Sequence, residues 1–325
     1  MEAILKSTTS FVQTNLTRLI LVVMILGLAN SYFLGGIPFN LIICAVASFL
    51  MIYPMFINLR IEDVAEITQH KLPVALSLVL NFILSPAIAF GLGWLFLGQD
   101  PYLSLGLMLI ALIPTSGMTA TWTERSRGNL KVALSIIAIS LLVVVVTLPL
   151  VLPLVAGDLL EVGPWFIFQR IIAVIIVPLL MGDMTRRWII EKKGEEYFKS
   201  KKPLFAGLSS LGLLVVLFLI MSLDVNTMII ENPVLVGKAI IPLVLYYLLM
   251  FGLSTLLTSK LPFPVGVAVV FGTSVRYLAL ALGIAVPLLG DGTSSALVVL
   301  MVALAFFVQV PLSSVYSKWA AKRAG

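Results

Sequence analysis

The chain has 325 residues, 60% of them hydrophobic and 11% charged, with a mean hydropathy of +1.13. Soluble domains are about half apolar and about a quarter charged, so this composition excludes an ordinary soluble enzyme or binding module and reads as a membrane protein. The net charge of +6 suits anionic lipid headgroups, and nucleic acid is not needed to explain it.

Apolar runs separated by charged or Pro/Gly breaks predict ten spans, at residues 14–33, 38–58, 72–97, 102–124, 130–155, 164–185, 203–223, 234–257, 264–289 and 293–317. Each is long enough to cross roughly 30 Å of hydrocarbon. The first lacks a small-residue cleavage pattern and exceeds a signal-peptide core in length, so it is predicted to be retained. The second carries Cys44, the single cysteine, which excludes an intrachain disulfide. The single histidine, His70, sits in the charged connection after it and has no cysteine or carboxylate pattern that would make a metal site. The third span carries Asn81 ahead of Pro86, as a site-lining residue or as an interhelical hydrogen bond. Ser135 and Ser140 in the fifth face the fourth span or serve packing. Residues 186–202, RRWIIEKKGEEYFKSKK, form the longest hydrophilic connection, with Glu191, Glu195 and Glu196 on a solvated face among lysines. Arg170 and Lys238 snorkel at outer span ends, and Trp94, Trp165, Trp188 and Trp319 serve as interfacial anchors.

Alternating the connections segregates charge. Lys and Arg, including Arg18, Arg60, Arg125, Arg127, Lys260 and Arg323, fall on one side, and Asp100, Asp158, Glu161, Asp224, Glu231 and Asp291 on the other. Basic residues mark the cytoplasmic side, which places both termini in the cytoplasm and the protein in the plasma (inner) membrane. Five spans on each side of Pro164 predict two five-helix repeats, residues 1–163 and 164–325, inserted with opposite orientation in one integral membrane domain.

Corresponding spans of the two halves, the fourth and the ninth, are interrupted. The fourth carries IPTSGMTAT, residues 113–121, and the ninth FGTSVRYLA, residues 271–279. Paired interruptions in inverted halves point to the binding site of a secondary transporter. Broken helices leave backbone groups unpaired, so the breaks are predicted to face inward, crossed, with the N-termini of the second half-helices aimed at the crossing. Thr115, Ser116, Thr119, Thr273 and Ser274 offer hydroxyls there for an oxyanion or a cation. Arg276 lies about 12 residues past Pro264, roughly 18 Å along the helix, too deep to snorkel easily. It either grips an anionic substrate beside Tyr277, or caps broken-helix carbonyls or pairs with Glu124 or Asp183. No intramembrane His-Glu-x-x-His, paired aspartates or phosphate-binding Gly-x-x-x-x-Gly-Lys is present, which argues against an intramembrane hydrolase and ATP drive. A channel would need no inverted pair of broken helices.

The order and spacing of several stretches resemble the bile acid:sodium symporter superfamily, and within it the arsenite-efflux permeases of the arsenical-resistance type. Residues 51–63 (MIYPMFINLRIED), 81–98 (NFILSPAIAFGLGWLFLG), 127–140 (RGNLKVALSIIAIS) and 277–283 (YLALALG) carry the likeness. It implies an all-α polytopic fold of ten helices, with crossed breaks in the fourth and ninth, working by alternating access. It also exposes departures. Those permeases have a cysteine at the fourth-span break, where Thr115 or a neighbour stands here, and a glutamate at the ninth, where this chain has Arg276 and Tyr277. The sodium symporters place a glutamate just before the ninth crossing, where Val270 or Phe271 stands. The expected function is secondary active transport of a small anion or oxyanion, with arsenite or a related metalloid driven out by protons as the alternative. No cofactor is expected; the coupling ion, sodium or proton, and the oligomeric state stay open.

Overall fold

The computed structural model describes residues 2–37, 41–58, 70–157, 164–222, 233–289 and 293–324. The described residues form no strand, and Thr115 and Arg276 meet in an isolated bridge. The helices are α1 (Glu2–Leu34), α2 (Leu41–Asn58), α3 (Lys71–Val79), α4 (Ser85–Phe96), α5 (Pro101–Leu112), α6 (Met118–Arg125), α7 (Leu130–Ala156), α8 (Pro164–Lys193), α9 (Glu195–Met221), α10 (Pro233–Leu257), α11 (Phe263–Ser274), α12 (Leu278–Leu289) and α13 (Thr293–Arg323).

Among the described residues, five helical rods are long and apolar enough to cross a membrane: Lys71–Phe96, Leu130–Ala156, Glu195–Leu219, Val234–Leu257 and Leu297–Arg323. Their outward faces are apolar. Trp94 is 77% and Leu154 82% exposed, an arrangement that suits lipid and would be a liability in water. Arg60, Asp158, Glu161, Asp224, Glu231 and Asp291, which carry much of the predicted charge segregation, lie outside the described residues, as do the side chains of Cys44 and Arg170.

Residues 186–202 correct the expectation of a long connection. α8 continues to Lys193, α9 starts at Glu195, and Gly194, at φ +84°, makes the turn between them. Glycine reaches that left-handed backbone without a Cβ clash. The flanking charges support helix, with Glu195 3.9 Å from Lys199 one turn on and the ammonium groups of Lys193 and Lys201 over the Tyr197 ring. Glu191, Glu195 and Glu196 therefore sit on helices.

The helices pack as two compact units, and each draws on both halves of the sequence. One comprises Met1–Arg60, Trp165–Pro233 and Leu282–Val299; the other comprises Ile61–Pro164, Val234–Ala281 and Leu300–Gly325. In the first, α9 packs on α1 and α2. A Cβ on Gly212 would lie 2.7 Å from Met51 Cα, so α2 and α9 touch backbone to backbone there. Ser209 Oγ donates to Met51 O at 2.7 Å beside that contact. Small residues at such crossings are how helices associate where burial from water gives no drive.

In the second unit α3 and α4 form one rod through a π-helical turn, Leu80–Leu84. Pro86 has no N–H to give, and Ser85 N donates to Leu80 O, five residues back. Such single π turns are frequent at functional sites, and this one contains Asn81. α7 begins at an N-cap, Asn129, whose side chain accepts from Val132 N at 3.2 Å. Val74, Leu80, Ile136, Ala268 and Val269 bury a core between α3, α7 and α11. A second cluster gathers Trp122, Phe251, Val267, Phe271 and Val275, with Tyr316 against it.

Candidate functional site

Both predicted interruptions are present, and both lie in the second unit. α5 stops because Pro114 follows: the residue before a proline avoids the helical region, and Ile113 is extended at φ −70°, ψ 142°. α6 then starts at Met118. The second break has no proline. Val275 is extended at φ −94°, ψ 101°, and α12 starts at Leu278.

The breaks repair each other. Thr115 and Arg276 form an antiparallel bridge in which Ser116 N donates to Val275 O (3.2 Å) and Tyr277 N to Pro114 O (2.9 Å). Groups that would be costly to leave bare in a membrane are thereby paired. This geometry turns the backbone N–H and C=O of Arg276 away from Thr115. Gln309 of α13 meets both: its Oε1 accepts from Arg276 N at 2.7 Å and its Nε2 donates to Arg276 O at 3.1 Å. Tyr247 of α10 donates to the same Oε1 at 3.0 Å.

Most predicted site hydroxyls are used within the protein. Thr115 Oγ1 donates to Val275 O (2.9 Å) and lies 2.6 Å from Thr119 Oγ1. Thr119 Oγ1 donates to Phe271 O (3.2 Å). Ser116 Oγ accepts from Met118 N (3.2 Å), capping α6. Thr273 Oγ1 donates to Val269 O (2.9 Å) and contacts Ser254 Oγ at 2.7 Å. The first N–H groups of α6 are also committed, since Thr119 N and Ala120 N donate to Ser116 O and Gly117 O. Ser135 and Ser140 are buried in α7.

A different set is buried without hydrogen-bond partners: Arg276 Nε and Nη2, Ser274 Oγ, Tyr277 OH and Asn81 Oδ1. Asn81 Nδ2 is anchored to Gly272 O at 2.9 Å, which ties the π turn to the end of α11. Arg276 is 1% exposed and makes one side-chain bond, Nη1 to Ile113 O at 3.3 Å. That bond satisfies a carbonyl at the end of α5. Of the two predicted acids, Glu124 is exposed, and Asp183 belongs to the first unit, where Arg186 and Arg187 hold it. Among the described residues the guanidinium has no carboxylate partner, and no group of His, Cys, Asp and Glu is placed to hold a metal.

Sequence reasoning passed over Gln309, Tyr247, Tyr246 and Ser85. Ser85 Oγ donates to Ala111 O (3.0 Å) and meets Tyr246 OH at 2.7 Å, bracing the last turn of α5. Gln309 had a signal: it is the one amide side chain in α13 and lies two residues before Pro311. The same criterion singles out Asn81.

A wholly helical membrane protein whose two interrupted helices are joined through their breaks has the construction of a transporter. The Sodium Bile acid symporter family profile matches residues 45–232, and the chain belongs to that family. The matched stretch runs from within α2 to the residue before α10, so it includes the first break and stops short of the second. An arsenical-resistance protein, Acr3, of Corynebacterium glutamicum is 29% identical over 246 residues, covering 72% of this chain and 65% of that protein; the chain thus spans just under two thirds of that relative. Another Acr3, of Alkaliphilus metalliredigens, is 24% identical over 329 residues, with 93% of this chain and 90% of the relative covered. Sodium/bile acid cotransporter 7-A of Xenopus laevis is 27% identical over 170 residues, with 50% and 47% covered.

Proposed function

We propose that this member of the family is a secondary active transporter that carries a small anion or oxyanion, bound at the break by Arg276. One observation carries the reading: a fully buried guanidinium that, among the described residues, has no carboxylate and leaves Nε and Nη2 without partners. A buried charge left so is expensive, and an anion that accepts from both nitrogens removes the expense while gaining bidentate geometry. Ser274 and Tyr277, whose hydroxyls are likewise unspent, complete the candidate donor set, and Asn81, whose Nδ2 is held by Gly272 O, leaves only the acceptor Oδ1 beside it. Thr115, Ser116, Thr119 and Thr273 hold the break in shape around it. The ten spans, the inverted halves 1–163 and 164–325, and the cytoplasmic termini belong to the same proposal, as do the alternating access and the coupling to sodium or protons that it requires.

A thermal-shift screen in detergent tests this, with arsenate, small carboxylates and arsenite, with and without sodium, on wild type and Arg276→Ala. A ligand at about 100 times its dissociation constant adds about 2.7 kcal/mol of stability. Stabilisation by a carboxylate or arsenate that vanishes in Arg276→Ala is the expected result; stabilisation that survives the substitution removes Arg276 from the site. The second reading, metalloid efflux, is favoured by the two relatives named for arsenical resistance. It predicts that cells lacking their own efflux system gain arsenite tolerance on expressing the protein, and that arsenite stabilises Arg276→Ala as well as wild type.

A further inference from the structure

A second polar site lies in the same unit, away from the break. It is a cleft of about 530 Å³, within the range of small-ligand sites, at the ends of α10 and α13 and the start of α11. Arg127 and Arg323 line it together with Ser259 and Tyr316, and among the described residues no carboxylate does. Its remaining walls are largely apolar, with Phe263, Val267 and Trp319 among them.

Both arginines are pre-set. Arg127 is the one described non-glycine residue with a left-handed backbone, at φ +55°, a strained state that persists only where its surroundings enforce it and that clusters at functional positions. Here a turn enforces it: Arg127 N donates to Glu124 O (3.0 Å), Gly128 N to Thr123 O (2.8 Å), and Asn129 N to Pro264 O (2.8 Å). The last bond fixes the turn to the first residues of α11. Arg323 lies over the rings of Trp319 (5.5 Å) and Phe263 (5.9 Å). Stacking occupies the guanidinium face and leaves its N–H edge for hydrogen bonds. Tyr316 OH lies 3.0 Å from Thr255 Oγ1, whose own hydrogen goes to Phe251 O at 2.6 Å, so the phenol is held in place as part of the cleft wall.

We propose that this cleft binds the phosphate group of a phosphate-bearing anion, offered as an anionic phospholipid headgroup or as free phosphate. The two guanidiniums and the Ser259 hydroxyl donate to the phosphate oxygens, and the apolar walls suit the glycerol and upper chain of a lipid. The position agrees, since helix ends rich in Lys and Arg are where a membrane protein meets anionic headgroups. Occupancy bears on the break as well. Tyr316 packs in the cluster of Val267, Phe271 and Val275, and the carbonyls of Phe271 and Val275 accept from Thr119 and Thr115. Nothing in this inference requires Arg276 to bind substrate.

The test is the thermal unfolding of the full chain in an uncharged detergent. Mixed micelles doped with phosphatidylglycerol are compared with phosphatidylcholine, and inorganic phosphate is titrated separately against chloride at constant ionic strength. Wild type is compared with Arg127→Gln/Arg323→Gln and with Lys318→Gln/Lys322→Gln, which loses the same charge from exposed α13 positions outside the cleft. Phosphatidylglycerol or phosphate should raise the wild-type Tm saturably, the arginine variant should need at least about tenfold more, and the lysine variant should respond as wild type. Response to the lipid alone identifies a headgroup, and response to phosphate alone identifies the free ion. No response to either, or equal losses in the arginine and lysine variants, overturns the proposal. If the double variant does not purify, Arg127→Gly takes its place: it relieves the left-handed strain, so the ligand-free protein should gain stability while the response to the ligand falls.

Discussion

At the first break, residues 113–117, Thr115 and Ser116 are committed to protein partners, and so is Thr119 one turn on. At the second, residues 275–277, the side chains of Arg276 and Tyr277 hold polar atoms that no described residue meets, as does Ser274 next to it. The two breaks are equivalent in backbone, since each supplies one side of the same bridge, but not in side-chain chemistry. On the function proposed above, the first break is a clamp and the second a receptor. A hydroxyl at a helix interruption is therefore no guide to binding until its own hydrogen bond has been traced.

That contrast can be broken or sharpened by substitution. The largest effect is expected from Gln309→Ala, which leaves the buried N–H of Arg276 and the hydroxyl of Tyr247 without their acceptor at about 1–3 kcal/mol each, while the Arg276 carbonyl keeps its bond from Leu278 N. Unfolding in mixed micelles should show a loss of about 2–5 kcal/mol, whereas a loss under about 0.5 kcal/mol would mean that the bridge holds without α13. Arg276→Lys comes next: it keeps the charge and loses the planar fork, so affinity for the stabilising anion should fall by about tenfold or more. Binding unchanged by the lysine would reduce the guanidinium to a point charge.

Thr115→Val and Ser274→Ala form a crossed pair. The first removes a bond that holds the crossing and should cost about 1 kcal/mol of stability with anion affinity intact. The second removes an unpartnered hydroxyl, so stability should stay within about 0.5 kcal/mol while affinity drops severalfold. A result with the two roles exchanged would reverse the assignment of clamp and receptor. The smallest structural effect belongs to Tyr277→Phe, expected within about 0.5 kcal/mol of wild type without ligand because the buried hydroxyl has no partner to lose. Only the bound state should register its absence.

Much of this was legible from residue types. Pro114 announces the first break, because a residue before proline leaves the helix wherever it sits. Arg276 announces the second, because an arginine far inside an apolar run demands an inward-facing reason. Residues 186–202 were misleading, since hydrophilicity describes a surface and not its backbone; acids and lysines at helical spacing formed two helix ends around Gly194. Gln309 was illegible in its role. The importance of an amide in α13 depends on which way the backbone of Arg276 faces, and that follows from pairing with a residue more than 150 positions earlier.

By itself, then, the sequence determined the helical membrane class, the two interruptions and the presence of one deep cation, because those follow from hydropathy, proline stereochemistry and the cost of charge in lipid. Tertiary structure alone decided which polar atoms are spent and which remain, since a hydrogen bond needs a partner in space. Thr115, Thr119 and Ser116 look like ligands in the chain and act as fasteners in the fold. Arg276 is left with open nitrogens because the fold brings it a carbonyl and an amide and, among the described residues, no carboxylate.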